Sequence, residues 1–159
     1  MNASTFLAVF LVLHLAAVQS TAGDWARYRG PNGSGVSAGG AEVPVEWSEG
    51  ENVKWKVELP GPGHSSPIVV GDKIFLTCWS GYATDGEGDL GDQKNLRYHL
   101  LCLNRGDGST VWDRKLMPEL PEEEYRGMFA EHGYTTHTPA SDGEHIFAFF
   151  GRSGVVAFN

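Results

Sequence analysis

One stretch of the chain occurs twice, and this repeat restricts the possible folds more than any other feature of the sequence. The segment SSPIVVGDKIFLTC, from Ser65, aligns at an offset of 72 residues with HTPASDGEHIFAFF, from His137. Further on, LLCLN from Leu100 aligns with VVAFN from Val155 at an offset of 55 residues. The first offset pairs residues of the same type at four places: Pro67 with Pro139, Gly71 with Gly143, Ile74 with Ile146, and Phe75 with Phe147. One supersecondary unit is therefore predicted to occur twice, with a longer connection inside its first copy.

Turn-forming residues dominate the rest of the chain. Glycine, proline and aspartate recur every few residues, and apolar residues seldom follow the three-to-four spacing of an amphipathic helix. The pair Gly71-Asp72 between two β-branched runs is typical of a short hairpin turn, and only residues 122–128 could form a helical turn. The pattern predicts an all-β fold, with strands at residues 53–59, 66–70, 73–79, 97–104, 110–116, 138–141, 145–151 and 154–159.

The first 22 residues are predicted to be a signal peptide. Residues 6–18, FLAVFLVLHLAAV, are almost all apolar but are fewer than the roughly 20 that span a bilayer as a helix. Ser20 and Ala22 are small residues at the spacing that signal peptidase prefers, so we expect cleavage before Gly23. The alternative is a buried N-terminal helix. The mature chain would be periplasmic or extracellular, with an extension at 23–52, a sheet segment at 53–159 and no membrane span.

The charge of the chain limits its partners. It has 12 lysines and arginines against 20 aspartates and glutamates, a formal net charge of −8. Such a chain has no general attraction to the phosphates of nucleic acids, so we expect no nucleic-acid partner. A protein partner, including a basic one, or a small ligand is compatible with this charge.

The segment CLNRGDGSTVW resembles the eleven-position repeat A-x-D-x-x-x-G-x-x-x-W of pyrroloquinoline-quinone (PQQ)-type β-propellers. The matching residues are Cys102 at the alanine, Asn104 at the aspartate, Asp107 at the usual threonine, Gly108 at the glycine and Trp112 at the tryptophan. Asn104 and Gly108 are predicted to form a tight turn, the first through side-chain hydrogen bonds and the second through a positive φ. The resemblance implies that Trp112 docks between neighbouring blades.

Three longer segments are similar to exported bacterial PQQ-like propeller proteins, which are related in fold to the outer-membrane assembly factor BamB: WARYRGPNGSGVS, NVKWKVELPGPGHSSPIVVGDKIFLTC and EHGYTTHTPASDGEHIFAFFGRSGVVAFN. The resemblance implies a partial β-propeller of about one and a half four-stranded antiparallel blades, in which residues 53–59 would be the outer strand that completes the last blade of a full ring. Closed rings of this kind have roughly 4–8 blades. We therefore expect a fragment of a longer chain; a partner that covers the open edge, or a truncated gene without a function, are the alternatives.

Two histidines lie next to the prolines that open the inner strands. His64 in GHSSP and His137 in HTP would face the central channel, where a metal or quinone could bind, and Glu131 and His132 could join them. The offset of 72 residues, however, aligns Thr136 with His64. The alternative is that these residues bond to the local backbone in turns.

An acidic segment lies after the second predicted strand of the first unit. Its carboxylates could attract calcium: Asp85, Glu87, Asp89 and Asp92. Leu90 and Leu96 occupy the glycine and glutamate positions that an EF-hand loop requires, so we expect a solvated loop.

The segment GPNGSG, from Gly30, has the glycine content of a phosphate-binding loop. It has no strand before it, no helix after it and no Lys-Ser/Thr pair, all of which such a loop requires. The segment is therefore predicted to be a surface turn.

Cys78 and Cys102 lie on neighbouring predicted strands of an exported protein, so a disulfide has to be considered. If Phe150 opposes Val155 and the first unit keeps this register, the two cysteines are diagonal neighbours on one face, about 7 to 8 Å apart. That distance slightly exceeds the usual Cα separation of a disulfide. Two buried free thiols are therefore favoured, although a register shift would change this conclusion.

The sequence contains no motif of a known catalytic centre. His64 and Ser65 are adjacent and would point to opposite faces of a strand, and residues 122–124 are more typical of a solvated surface than of an acid and base pair. We expect a non-catalytic binding or scaffold module without a cofactor. The alternative is a fragment of a PQQ-dependent quinoprotein dehydrogenase, which by resemblance would use PQQ with calcium and often a vicinal cysteine pair that this sequence lacks.

Overall fold

The chain forms two antiparallel β-sheets. A computed structural model describes residues 23–37, 43–85 and 88–159, so the predicted signal peptide lies outside the described residues. The first sheet contains, in order, β1 (Ile68–Val70), β2 (Lys73–Ser80), β3 (Arg97–Asn104) and β4 (Thr110–Leu116). The second contains β5 (Ala140–Ser141), β6 (Ile146–Phe149) and β7 (Val155–Phe158). Short helical segments connect the strands: 3₁₀ turns at Gln93–Asn95 and Gly151–Ser153, and α1 at Met128–His132.

The two sheets have the same strand register, as the sequence repeat predicts. Equivalent residues are paired in both: Ile68 with Phe75 and Ala140 with Phe147 in the first hairpins, then Phe75 with Cys102 and Phe147 with Ala157 in the second. The predicted turn at Gly71-Asp72 joins β1 to β2, and Gly71 has φ +58°. The chain is thus mostly β-structure, and the second unit has the first three of the four strands.

Each sheet has two faces, which we define by strand pairing, because directly paired residues share a face and successive residues alternate. The front face of the first sheet carries Phe75, Thr77, Trp79, Tyr98, Leu100 and Cys102, and its back face Ile74, Leu76, Cys78, His99, Leu101 and Leu103. By equivalence, the front face of the second sheet carries Phe147, Phe149, Val155 and Ala157, and its back face Ile146, Ala148, Val156 and Phe158.

The hydrophobic core lies between the front face of the first sheet and the back face of the second. Front-face residues Phe75, Trp79, Tyr98, Leu100 and Cys102 form one cluster with Ile146, Ala148, Val156 and Phe158. The Tyr98 and Phe150 rings stack across the interface, with centroids 5.0 Å apart and planes 5° apart. The two units therefore contact each other through different faces, front to back.

The segment at 53–59 is not a strand, contrary to the prediction. It forms no ladder with other described residues, although burial alternates along it and Trp55, Val57 and Leu59 are half-buried. The Trp55 indole Nε1 donates a hydrogen bond to the Arg105 carbonyl oxygen at 3.1 Å. A strand needs a free neighbouring edge, and this segment instead lies against the turn between β3 and β4.

The helix begins at Met128, later than the predicted turn at 122–128. Gly127 has φ +54°, which interrupts any helix that would start before it. Glu122 is buried, and its Oε1 accepts a hydrogen bond from the Tyr98 hydroxyl at 2.7 Å.

Among the residues that the structure describes, no helix has the length and apolar character needed to cross a bilayer.

The two cysteines are free and buried, which confirms the favoured interpretation but not the register behind it. Phe149, not Phe150, pairs with Val155, and Cys78 correspondingly pairs with His99. A shift of one residue moves a side chain to the opposite face. Cys78 therefore lies on the back face and Cys102 on the front face, so they are not diagonal neighbours.

Candidate functional site

The turn between β3 and β4 carries the residues of the sequence motif. Asn104 Oδ1 accepts a hydrogen bond from the Gly106 amide at 2.7 Å, and the Gly108 amide donates to the Asn104 carbonyl oxygen at 2.8 Å. Gly108 has φ +76°, so the turn uses both features expected of it. Hydrogen bonds from the hydroxyl and amide of Ser109 lower the pKa of Asp107 below its ordinary value. These bonds fix a tight and locally determined connection between the two strands.

Trp112 lies between the two sheets. It pairs with Cys102 on β3, and its ring centroid is 5.7 Å from that of Phe75 and 6.4 Å from that of Phe158. The Arg114 guanidinium carbon is 5.4 Å from the Trp112 ring centroid and 6.0 Å from the Phe158 ring centroid. Trp112 thus joins the front face of the first sheet to the back face of the second.

The two units also meet at equivalent residues beside their first strands, β1 and β5. The Ser66 amide donates a hydrogen bond to Thr138 Oγ1 at 3.1 Å, and the two residues are 72 positions apart. The hydroxyl of the preceding Ser65 accepts a hydrogen bond from the Thr77 amide at 3.0 Å. Equivalent positions of the two units are therefore in direct contact.

An N-terminal segment is hydrogen-bonded to the first strands of both sheets, β1 and β5. Trp25 exchanges backbone hydrogen bonds with Val69 on β1, at 2.8 and 3.1 Å. The Ser141 amide on β5 donates to the Ala26 carbonyl oxygen at 2.8 Å. Val69 and Ser141 are equivalent under the repeat, so one short segment joins β1 to β5. The predicted surface turn after Gly30 follows it, where Asn32 Oδ1 accepts from the Ser34 amide at 3.0 Å.

The candidate histidines are exposed side chains in separate aromatic contacts. The His64 ring stacks on Trp79 with centroids 6.0 Å apart, and the His137 ring meets Phe149 edge-on at 4.5 Å. His132 is exposed in α1, next to exposed Glu131. Within the described ranges, no three histidine, cysteine or carboxylate side chains converge as metal ligands. The structure therefore does not assemble these residues into the site that was considered for them.

Asp89 and Asp92 of the acidic segment line an open cavity of about 890 Å³, and Asp85 is exposed outside its lining. Its carboxylates are Asp89, Asp92, Glu122, Glu123 and Glu124, with the guanidinium groups of Arg126 and Arg152 among them. Asp92 accepts a hydrogen bond from the Lys94 amide at 3.0 Å, which lowers its pKa below the ordinary value. Glu122 is only 7% exposed, so the expectation of a solvated surface at 122–124 is wrong for this residue. Glu87 lies outside the described residues.

A buried hydrogen-bond chain that sequence reasoning missed links three neighbouring strands on the back face of the first sheet. The side chain of His99 on β3 is 2% exposed. Its Nδ1 lies 2.9 Å from Asp113 Oδ1 on β4, and its Nε2 lies 2.8 Å from the Ser80 hydroxyl oxygen on β2. Because an ionised carboxylate only accepts, the contact with Asp113 requires a hydrogen on Nδ1; in the neutral form of the ring, Nε2 then accepts a hydrogen bond from the Ser80 hydroxyl.

Serine, histidine and aspartate in this order also constitute a nucleophile, its base and an orienting carboxylate. The same bonds satisfy both nitrogens of a ring enclosed in the sheet, and this stabilises the fold without any reaction. Only the strand register brings Ser80, His99 and Asp113 together. The alternation of side chains along β2, β3 and β4 indicates which residues share a face of the sheet. Identifying these three residues as neighbours also required the correct strand register.

No family model, curated protein or solved structure matches this chain.

Proposed function

We propose that this chain is a segment of an exported PQQ-like β-propeller that acts as a non-catalytic binding or scaffold module. One observation carries the proposal: two units of identical strand register pack front to back. Packing through two different faces is heterologous, so each added unit offers the same face to the next one. Repetition of this contact with a rotation generates a ring of sheets, which is the architecture of a propeller.

The convergence of the inner strands supports a radial arrangement. In a ring, equivalent residues approach each other most closely near the axis, and Ser66 and Thr138 are in direct hydrogen-bond contact there. Trp112, by contrast, bridges the sheets near their outer strands through Phe158. Contacts at both ends fix the relative rotation of two neighbouring sheets.

The segment at 53–59 supports the same proposal. Trp55 and Leu59 have the spacing of Trp112 and Leu116 on β4. Trp55 contacts the first sheet through the turn between β3 and β4, where its ring lies against Gly108. Trp112 contacts the second sheet through Phe158, close to the same turn of the repeat. This parallel supports the proposal that the segment corresponds to an outer strand of a preceding sheet.

A scaffold role agrees with the polar groups of the first sheet. In this role the hydrogen bonds of buried His99 to half-buried Ser80 and Asp113 stabilise the back face. The surfaces available for binding are then the loops at the two ends of the sheets. This describes a recognition module whose specificity depends on loop residues, as is usual when a fold carries many roles.

Two measurements test the proposal. Added PQQ with Ca²⁺ should produce no absorbance shift and no reduction of an acceptor dye with alcohols or sugars, whereas a quinoprotein dehydrogenase serves as the positive control. Turnover would overturn the proposal in favour of a dehydrogenase fragment. Nuclear Overhauser contacts should join the Tyr98 ring to Phe150 and the Trp112 ring to Phe158, and their absence would overturn the front-to-back arrangement.

A further inference from the structure

We infer that Asn32 is a self-modification site, at which the surface turn around it promotes conversion of the side-chain amide into a carboxylate. The nucleophile is the amide nitrogen of Gly33, and ammonia is the leaving group. The inference goes beyond the proposed function, because it depends on the turn at 30–35 alone and not on how the two sheets pack.

Asn32 differs from other asparagines in the residue that follows it. Asn2, Asn52, Asn95 and Asn104 precede residues with a side chain, whereas Asn32 precedes a glycine. An asparagine cyclises when the main-chain nitrogen of the next residue attacks its side-chain carbonyl carbon, and a side chain on that next residue obstructs the attack. Asn32 is exposed, and Gly33 has no Cβ to shield its nitrogen.

The turn holds the side-chain carbonyl of Asn32 against two hydrogen-bond donors. Its Oδ1 accepts the Ser34 amide at 3.0 Å and the Ser34 hydroxyl at 2.7 Å. The Val36 amide donates to the Ser34 hydroxyl oxygen at 3.1 Å, which orients that hydroxyl. When the Gly33 nitrogen attacks Cγ, the carbonyl electrons move onto Oδ1. Donors already directed at the atom where negative charge develops lower the barrier, as in an oxyanion hole.

Two guanidinium groups lie beside the same turn. Arg27 Nε donates to the Gly30 carbonyl oxygen at 3.2 Å, and Arg29 Nη2 donates to the Ser34 carbonyl oxygen at 3.3 Å. The Gly33 amide also donates to the Gly30 oxygen, at 3.1 Å, and this hydrogen must leave before the nitrogen attacks. Nearby positive charge favours the deprotonated nitrogen and, after reaction, the new carboxylate.

The reaction consumes water, releases ammonia and needs no oxidant or reductant. The Gly33 nitrogen loses its proton to solvent hydroxide and forms a bond to the Asn32 Cγ. The bond from Cγ to Nδ2 then breaks as Nδ2 takes a proton from water, which leaves a succinimide ring. Water opens this ring at Cγ to give aspartate, or at the main-chain carbonyl carbon to give isoaspartate.

The two products differ in their effect on the turn. Aspartate retains an oxygen acceptor for the Ser34 donors and adds a negative charge beside the guanidinium groups. Isoaspartate lengthens the main chain by one carbon inside the loop that the Gly35 amide closes on the Arg29 carbonyl oxygen at 2.9 Å. Gly30 in this loop packs closely on the Trp25 ring. We therefore expect isoaspartate, but not aspartate, to loosen the contact with Trp25.

Incubation of the full chain at mildly alkaline pH tests the site. Peptide mapping by mass spectrometry follows the conversion of amide to acid at each asparagine, and electron-based fragmentation distinguishes aspartate from isoaspartate. We expect Asn32 to convert while Asn104 stays intact. Asn104 is a matched control within the chain, because its Oδ1 also accepts the amide two residues further on, at 2.7 Å, but Arg105 follows it.

Ser34 variants test whether the turn promotes the reaction. Ser34→Ala removes one donor to Oδ1 and should slow conversion by about threefold to tenfold, as expected for loss of one hydrogen bond to the reacting oxygen. Ser34→Thr keeps the hydroxyl and should restore the wild-type rate. Amide exchange at Trp25 and Val69 shows whether each variant keeps the fold of this region.

Three results would overturn the inference. The first is an intact Asn32 in folded wild-type protein under conditions that convert a free GPNGSG peptide, because the turn would then protect the side chain. The second is a Ser34→Ala rate equal to or above that of wild type. The third is faster conversion of the wild-type chain in urea than in its folded state. The propeller proposal does not depend on any of these results, because the ring contacts between the sheets test it separately.

Discussion

Two separate constraints, the backbone conformation and a close aromatic ring, favour glycine over other residues at Gly108. Its φ of +76° disfavours any side chain, and a Cβ at this position would lie 2.5 Å from the Trp55 ring. We expect Gly108→Ala to lower the free energy of unfolding by more than the roughly 1–2 kcal/mol of a left-handed conformation. The matched control is Gly71→Ala, at φ +58° with open space around it, which bears only the conformational cost. Urea unfolding compares them, and equal losses would contradict the contact with Trp55.

Cys78 makes stability depend on pH in the alkaline range. Burial and, to a smaller extent, the Asp113 carboxylate raise the pKa of its thiol from 9.0 to about 11. The folded state therefore favours the protonated thiol, so this contribution is complete below pH 9 and is lost as the pH rises towards 11. We expect the free energy of unfolding to fall across this window, and Cys78→Ala to make the fall shallower.

A second group titrates in the same direction. Burial and the hydrogen bond to Glu122 raise the pKa of Tyr98, so its contribution is lost above its ordinary value of 10.0. Comparison of wild type with Cys78→Ala separates the thiol, because Tyr98 is present in both. Parallel pH profiles for these two proteins would argue against the role of Cys78.

Contacts between residues close together in the chain could be predicted from the sequence, whereas contacts between distant residues could not. The turn at Asn104 and Gly108 depends on side chains within a few positions of each other, so the sequence alone was sufficient for it. The chain from Ser80 through His99 to Asp113 depends on two strand registers at once. An error of one residue in either register would have moved His99 away from its partners.

At the level of elements, proline explains why two predicted strands begin late. β1 begins after Pro67, and β5 begins after Pro139, at equivalent positions of the repeat. Proline has no amide hydrogen to donate to a ladder, so pairing starts at the next residue. The residues 53–59 show the converse limit. Burial alternates along them as it does in a strand, but the predicted strand is absent, because a ladder also requires a free edge, which no local pattern reports.

Loss of the Trp112 side chain should weaken the contact between the two sheets more than it weakens the first sheet, to which Trp112 belongs. Its ring contacts Phe75 on one side and Phe158 on the other. We expect Trp112→Ala to destabilise the protein by on the order of 3 kcal/mol, as for loss of a large core aromatic residue. Amide exchange should accelerate more in β6 and β7 than in β2 and β3, because the second sheet has fewer strands. Acceleration confined to β2 and β3 would indicate that Trp112 acts only within the first sheet. The matched control, Val111→Ala, removes an exposed side chain from the same strand and should change exchange little.

At the level of the whole molecule, front-to-back packing explains why so small a second sheet is ordered in this structure. An isolated sheet of three short strands has little apolar surface to bury. Here its back face lies on Phe75, Tyr98 and Leu100 of a four-stranded sheet. The sequence repeat predicted that two units exist, but equivalent sequences are compatible with face-to-face and with front-to-back contact. The choice depends on side chains from both sheets together, including the Tyr98 and Phe150 stack.

Aspartate substitutions at neighbouring residues of β7 should therefore differ strongly in their effect on the free energy of unfolding. Val156 is half-buried on the back face, where it packs against the core, whereas Val155 is 67% exposed on the front face. A carboxylate without a partner is unfavourable at such a position, so Val156→Asp should lower the free energy of unfolding by about 1–3 kcal/mol. Val155→Asp should change it by less than about 1 kcal/mol, because substitutions of exposed side chains usually have small effects. Urea unfolding of the two variants measures both effects. If Val155→Asp were the more damaging change, the assignment of front and back faces would be reversed.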